Sequence, residues 1–535
     1  MFSIDIKILI FGIALNTLEF RISPMKVSPL YFFIVLILIS CNSNKPNEKD
    51  DLALVKELSL TEGELTGKTL ADAYCGACHV KPEPDLLDKL TWQTSVLPDM
   101  RRRMGLILEE DFGHAVGEDI DAPAGIYAAE PLISREDWAL MESYYLENAP
   151  DKLAENALDF GLLPENSSWR LKEPSTNKKR PNLSTFVRWE DRGKVLFVGD
   201  RYRQVFKFDM KNNLILDSIQ VTSPASDILF QGENSFDLLT MGVMDPSNTS
   251  IGRLESFRGF DENAANLLLD SLTRPVHFSY ADLTGNGENE LIVCHFGHHV
   301  GKLTWYEKSG NGYTMNYLNN RPGARRTIIE DVNGDGKPDV IALMTQAKEG
   351  VYVYLNQGKG KFKEYEWLSF SPLFGSSDFV YEDIDGDGHK DIVLVSGDNA
   401  DLSPILKPYH GLRIFLNDGK NNFAESYFQP FHGASALIVE DFTGNGHKDI
   451  AVISYFPKRD EGQKANFLFF ENHGELAFSL SKKQALGEWS LMTMDTGDIT
   501  GNGKKDLILG GFDFASMRAF PPGDWVPFLI LENHY

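Results

Sequence analysis

The chain has little of what nucleic-acid binding or membrane spanning requires. Acidic residues outnumber basic ones 77 to 52, a formal net charge of -25, and a protein that neutralises phosphates needs clustered Lys and Arg, so nucleic acid is excluded as a partner. No apolar run reaches the roughly 20 residues that cross a bilayer. Neither a Ser-His-Asp arrangement nor a phosphate-cradling glycine loop is present, and beyond residue 170 no long helical periodicity appears. Only four cysteines occur in 535 residues, Cys41, Cys75, Cys78 and Cys294, so their positions say more than their number. The hydrophobic content of 42% is nevertheless enough to fill real cores, and the length implies more than one folded unit.

The first cysteine closes a greasy N-terminal run. From Met25 the chain reads Met-Lys-Val-Ser-Pro-Leu, then an apolar stretch Tyr31 to Ile39, then Leu38-Ile39-Ser40-Cys41 and the polar run 42–51. A short basic start, an apolar core and small residues before a cleavage point describe a secretion signal, too short for an uncleaved anchor. The Leu-Ile-Ser-Cys ending resembles the lipobox of bacterial lipoproteins. That resemblance implies lipidation of Cys41, a signal peptide over 1–40 with translation starting at Met25, a lipidated tether over 41–54, and a cell-envelope protein held at a membrane by lipid, with the outer membrane of a bacterium as the expected site.

Residues 55–150 read as helical. Ser134 is placed to cap a helix with Glu136 and Asp137 in its first turn, and Trp138, Met141, Tyr144 and Tyr145 give it an apolar face before Pro150 stops it. After a linker over 151–170, short β-branched and aromatic strands take over, and one acidic nonapeptide recurs five times. Its copies are 282–290, 331–339, 383–391, 441–449 and 498–506, with first aspartates 49, 52, 58 and 57 residues apart. A period near fifty with about four strands per unit predicts propeller blades. Two degenerate blades, from about Leu183 to Val221 and from about Ala225 to Leu272, bring the count to seven. The last blade lacks its outermost strand, and Trp169 to Lys172 is the expected donor.

Cys75-Gly-Ala-Cys78-His79 fits the c-type haem attachment sequence: two thiols three residues apart can form thioethers to one haem while the adjacent imidazole reaches the iron. The alternative is a redox disulfide, for which the βαβ setting is missing. The surroundings resemble a small cytochrome c domain, with Gly67 to Tyr74 leading into the motif and the 135–148 helix as its C-terminal partner. Such domains usually add a methionine as second axial ligand. Met100 is the first candidate, Met104 and His114 stand behind it, and ordinary core packing is the alternative for either methionine.

In each nonapeptide the oxygens at positions 1, 3, 5 and 9, with a backbone carbonyl at 7, can surround one hard cation. The ligands so assigned are Asp282, Asn286 and Glu290; Asp331, Asn333, Asp335 and Asp339; Asp383, Asp385, Asp387 and Asp391; Asp441, Asn445 and Asp449; and Asp498, Asn502 and Asp506. Thr284, Thr443 and Thr500 weaken position 3 in three copies, and the competing reading is an Asx-rich turn without metal. The loops resemble the FG-GAP or VCBS repeats of integrin-like propellers over about residues 275–515, which implies up to five structural calcium ions.

The expected fold is thus a multidomain chain, a small all-α cytochrome c-like domain followed by an all-β, seven-bladed propeller over 171–535. If the acidic loops share one propeller face, the next loop of every blade emerges on the other, and those loops differ from blade to blade. They carry His298, His299, Asp398, Asn399, Asp401, Lys407, Tyr409, His410, Lys458, Asp513 and Arg518, the candidate binding face. Cys294, on a strand just before it, reads as a small buried residue. The functional expectation is an envelope electron-transfer protein with the propeller as docking or substrate platform, its redox partner unspecified. The alternatives are an oxidoreductase passing electrons from a sugar or small metabolite to the haem, and an adhesion or glycan-binding protein. The repeated tryptophan-docking pattern of quinoprotein dehydrogenases is missing.

Overall fold

A computed structural model describes residues 65–535, apart from 109–110, 112–121, 155–160, 163–167, 213, 233, 400–404 and 457–464. The secretion signal, Cys41 and the tether lie outside the described residues. So do His114, Asp401 and Lys458.

Seven antiparallel sheets follow one another along the chain, with blades one to six over 184–220, 225–273, 275–319, 324–369, 376–430 and 434–482. The seventh comprises 491–533 and one borrowed strand. The first strands of consecutive blades touch in a closed ring, and the first strand of blade seven reaches that of blade one. The second strand of each acidic-loop blade, such as Asp391–Ser396 or Asp449–Ser454, is buried at every residue because neighbouring sheets cover both of its faces. That double cover is why these segments read as continuous apolar runs. Outermost strands such as Gly312–Asn319 alternate with solvent instead.

Every first strand slips register by one residue near its start, between Pro275 and His277 in blade three and between Ser376 and Asp378 in blade five, for example. A bulge re-aims the side chains that follow it. Here it turns polar groups sideways into the next blade. The Arg188 guanidinium donates to Asp227 at 3.0 Å, and Asp227 also meets His277 Nδ1 at 2.9 Å. His277 Nε2 lies 3.2 Å from the Thr327 carbonyl, and Arg326 donates to Asp378 at 2.6 Å. Asp378 then accepts the Leu437 N–H at 3.3 Å, Ser435 donates to the Leu491 carbonyl at 2.8 Å, and Asp495 accepts the Trp189 N–H at 2.6 Å. All seven junctions therefore carry a polar latch.

The borrowed strand is where the sequence puts it. β1 (Gly161–Leu162) adds a parallel edge to blade six, and β2 (Trp169–Lys172) pairs antiparallel with Leu529–Asn533, Trp169 opposite Asn533. Trp169 is fully buried between blades six and seven, with Phe442 and Phe469 each 5.4 Å away and Tyr535 at 6.1 Å.

The expected all-α cytochrome c-like domain is not found. The described residues between 65 and 154 carry α1 (Gly67–Tyr74), α2 (Lys89–Thr91), α3 (Leu97–Arg103) and α4 (Arg135–Asn148), with a π turn over Trp92–Val96. Of these four only α4, at 14 residues, reaches ordinary helix length. Their apolar cluster, built on Trp92, Trp138, Met141 and Tyr145, takes in Leu373 and Ile405 of the propeller, and Glu62–Tyr535 forms one compact unit. Local readings do hold: Ser134 caps α4 by accepting the Asp137 N–H at 3.0 Å, and Trp138, Met141 and Tyr145 are buried. At Gly67 a Cβ would sit 2.1 Å from the Leu140 carbonyl oxygen, so α1 and α4 cross with backbone in contact.

Trp169→Ala should cost about 3–5 kcal/mol in urea unfolding, because it empties the seam that closes the ring. Leu214→Ala, at a residue 57% exposed on an outermost strand, should stay within about 0.5 kcal/mol of the parent. Equal midpoints for the two variants would mean that the borrowed strand does not hold the ring.

Candidate functional site

The acidic loops join first to second strands and lie together on one face. Both glycines of each loop have positive φ, 71° and 81° at Gly334 and Gly336, and a Cβ at any of them would meet nothing within 4 Å. Conformation alone demands glycine there. It lets the loop fold back on its first aspartate. Asp383 accepts the N–H groups of Gly386 at 2.8 Å and Gly388 at 3.0 Å, and Asp441 those of Gly444, Asn445 and Gly446 at 2.8 to 3.1 Å.

Position 9 works differently. In blades four to seven its carboxylate is buried, and one oxygen accepts a backbone N–H near the start of its own loop, as Asp391 does from Ile384 at 3.1 Å. The other accepts the N–H of an asparagine ending the third strand: Asn356 to Asp339 at 2.7 Å, Asn417 to Asp391 at 2.9 Å, Asn472 to Asp449 and Asn533 to Asp506 at 2.8 Å. Each such oxygen keeps a further lone pair for an ion. In blade five, oxygens of Asp383, Asp385 and Asp391 lie within 4.8 Å of one another, which fits a calcium ion with oxygens at roughly 2.3–2.6 Å. No other such triad occurs among the described residues. In blade four Asp335 is instead paired with Lys337 at 2.7 Å, and blades three, six and seven offer Asn and Thr at two of the positions. Burial pushes the Asp391 carboxyl up to about 6, opposed by the Asn417 and Ile384 N–H donors and reinforced by Asp385 and Asp387.

The second candidate is the Cys75–His79 segment, directly after α1. Cys75 and Cys78 are free thiols, Cys78 exposed and Cys75 partly buried. Burial raises the Cys75 thiol, opposed by the Tyr145 hydroxyl 3.9 Å away. Tyr145 is itself fixed by donating to the Pro82 carbonyl at 2.9 Å. His79 Nδ1 lies 2.9 Å from the Val80 carbonyl oxygen, and burial lowers its pKa. A neutral ring that donates from Nδ1 keeps the Nε2 lone pair for a metal. Residues 76–80 form one wall of an open cleft of about 220 Å³, and Lys348, Tyr352, Glu366 and Ser369 of blade four form the other. Met100 and Met104 pack on the apolar cluster that Cys75 also touches.

The remaining sequence candidates lie on the face opposite the acidic loops, and the helical segment covers part of it. Tyr409 stacks on Phe374 at 5.5 Å and donates to the Leu86 carbonyl at 3.1 Å, so its phenol holds the helical segment down. Lys407, His410 and Asn399 are buried beneath, Lys407 donating to Asn399. The rings of His298 and His299 lie 4.0 Å apart, tilted by 46°, and Arg518 is exposed. Burial pushes the Tyr455 phenol up to about 12, and the negative charges of Asp513 and Asp398 add to the rise. Arg201, paired with Asp245 at 2.7 Å, joins that group. Sequence reading missed Arg201, Asp245 and Tyr455, because two of them come from degenerate blades with no motif to mark them. Cys294 is fully buried, as expected.

Residues 331–394 match the FG-GAP-like repeat, from the first aspartate of the blade-four loop into the strand after the blade-five loop. The T-cell immunomodulatory protein homolog of Plasmodium falciparum (isolate 3D7) is 30% identical over 138 residues, 23% of this chain and 18% of that protein, so the chain spans under a fifth of that relative. The WD40 domain of Neurospora crassa Pan2 aligns with 69% of this chain and 96% of its own length at a TM-score of 0.42 and 10% identity, too distant a likeness to carry an argument.

The Asp391 shift fixes a pH signature. Its folded-state pKa of about 6 exceeds the unfolded value near 4, so in cation-free protein the folded state holds the extra proton and loses stability as pH rises through that window. An ion in the loop reverses this, since it stabilises the carboxylate. The melting-temperature gap between calcium-loaded and chelated protein should therefore widen from about pH 5 to about pH 7. An equal gap at both would mean that the blade-five loop takes no cation.

Proposed function

We propose that this is an exported, lipid-anchored electron-transfer protein that attaches one haem through Cys75 and Cys78, with His79 as axial ligand, and uses a calcium-stabilised FG-GAP-type propeller as docking or substrate platform. The observation that carries the reading is the state of the Cys75–His79 segment. Cys78 and a neutral imidazole with its Nε2 left over line one cleft, and the second free thiol, Cys75, sits partly buried directly before it against the apolar cluster. A redox disulfide would use the thiols but gives no reason for the imidazole. A haem bound there would supply one-electron exchange.

The chain's own residues supply the setting. α1 and α4 cross at Gly67 and hold the segment rigid, while Tyr145 anchors the turn that follows it. The blade-four wall limits solvent on one side of the cleft, so a partner would approach from the open side. Met100, which packs on the apolar cluster that Cys75 also touches and does not line the cleft, would be the second ligand, and its soft thioether would favour the reduced metal. Lipidation at Cys41 would keep the protein at the cell envelope.

A second reading, surface recognition without redox chemistry, draws on the Plasmodium relative, which is named for immunomodulation and whose likeness covers 23% of this chain. On that reading the group around Tyr455, Asp398, Asp513 and Arg201 would meet a glycan or protein, and the cysteine motif would be incidental.

The two separate on one measurement. Protein matured in a haem-attaching bacterial host should keep its haem through acid-acetone extraction, because thioethers are covalent. Cys75→Ala with Cys78→Ala should lose it, and His79→Ala should alter the spectrum without releasing it. Colourless parent protein from that host would leave surface recognition as the function.

A further inference from the structure

The asparagines that meet position 9 do a second thing. In blade four the Asn356 side chain donates at 2.9 Å to the carbonyl of Leu283, position 2 of the acidic loop in blade three. Asn472 of blade six reaches Ile384, position 2 in blade five, at 3.3 Å, and Asn533 of blade seven reaches Phe442, position 2 in blade six, at 2.8 Å. Between blades four and five two asparagines share the work. Asn421 donates to Val332 at 3.2 Å, its N–H bonds Asn417 Oδ1 at 2.9 Å, and the Asn417 N–H bonds Asp391. Position 2 is also tied to its own position 9: the N–H groups of Leu283, Val332 and Ile384 donate to Glu290, Asp339 and Asp391 at 2.6 to 3.1 Å.

A path follows. In blades three to five the position-9 carboxylate holds the position-2 N–H of its own loop, whereas in blade six Asp449 holds the Thr443 N–H at 2.9 Å, in the same peptide group as the Phe442 carbonyl. The position-2 carbonyl then holds the next blade's asparagine, whose N–H leads to the next position-9 carboxylate. Asn356, Asn472 and Asn533 are at most 1% exposed, so water cannot replace a lost partner.

We propose that the acidic loops bind calcium as a coupled series, with Asn356, the Asn417–Asn421 pair, Asn472 and Asn533 as positioning residues that pass the state of one loop to the next without touching the ion. The proposal rests on the calcium reading above and deepens it. An ion that draws position 9 into place fixes the position-2 peptide, and with it the carboxylate of the following loop, which then binds with less ordering left to do. The blade-five loop, with three convergent carboxylates and wired neighbours on both sides, starts the series. Blades one and two have no acidic loop, so the series has two ends and does not run round the ring.

Calcium titration of the full chain by calorimetry tests this. Emptying the blade-five loop with D383N/D385N should weaken the remaining sites about fivefold or more, the size of an ordinary coupling. In a background of Asn421→Gly and Asn472→Ala, the same emptying should leave the remaining affinities unchanged. Glycine is chosen at 421 because Asn421 has a φ of 62°, which alanine would strain. If the Asn472 variant does not fold, Asn421→Gly alone severs the blade-four to blade-five step. A merely structural asparagine would lower the melting temperature and leave the fivefold effect in place, which overturns the proposal. Loss of one site with the others unchanged in the parent chain overturns it as well. No calcium heat in any variant overturns the calcium reading itself.

Discussion

A ring of sheets is stable only if its last junction is as good as its first, and here that rests on one repeated defect, the register slip near the start of every first strand. Regular pleating would send side chains alternately up and down the blade stack. The slip turns one of them toward the neighbouring blade, and Arg188, Asp227, His277, Arg326, Asp378 and Asp495 become the latches of the ring. The carboxylates of Asp227, Asp378 and Asp495 are largely screened from water, where an unpaired acceptor is costly, while the Arg188 and Arg326 side chains that meet them keep about 40% of their surface exposed. Apolar stacking between blades tolerates small rotations, whereas directional latches do not, so they set the angle at which each blade meets the next. The borrowed strand at Trp169 then has a fixed gap to fill.

How much of this could be read beforehand follows from what leaves a linear trace. The acidic nonapeptide does, because its glycines are required by backbone conformation and its aspartates by local N–H donors, so blade period, strand order and donor strand all follow from it. The latches leave none. Asp227 and His277 sit fifty residues apart with nothing around them in common, and the slip that brings them together interrupts the alternation that would have marked their strands. The asparagine links are similar: Asn356 looks like a turn residue, which it is, and only the closed ring reveals its second partner. The helical segment failed for a different reason. Its capping and burial pattern are correct element by element, but the summed apolar surface of α1 to α4 is too small to stand alone, and the propeller residues that complete it, Leu373 and Ile405, lie more than two hundred residues away.

The two ends of the blades have divided their roles. On the acidic-loop face the first and last carboxylates of each loop are tied to backbone N–H groups, and the plan barely changes from blade to blade. The opposite face varies, but part of that variation fits the helical segment: Tyr409 donates to the Leu86 carbonyl, and Lys407 and His410 on the same loop are buried. Among the described residues, Arg518 and the cleft beside His79 stay open to solvent.

The asparagine links also bear on how such a chain can grow. Each joint is split between two neighbours, a carbonyl in one acidic loop and an amide in the following blade, so a duplicated blade arrives with the correct half-joint at either side. Copying a unit of about fifty residues therefore restores every contact of this kind without any new substitution. The latches of the first strands are individually different and give no such freedom. Gene duplication would be seamless along the acidic face and would leave its scars at the axis, which is where the two blades without the nonapeptide still keep their own distinct partners, Arg188 and Asp227.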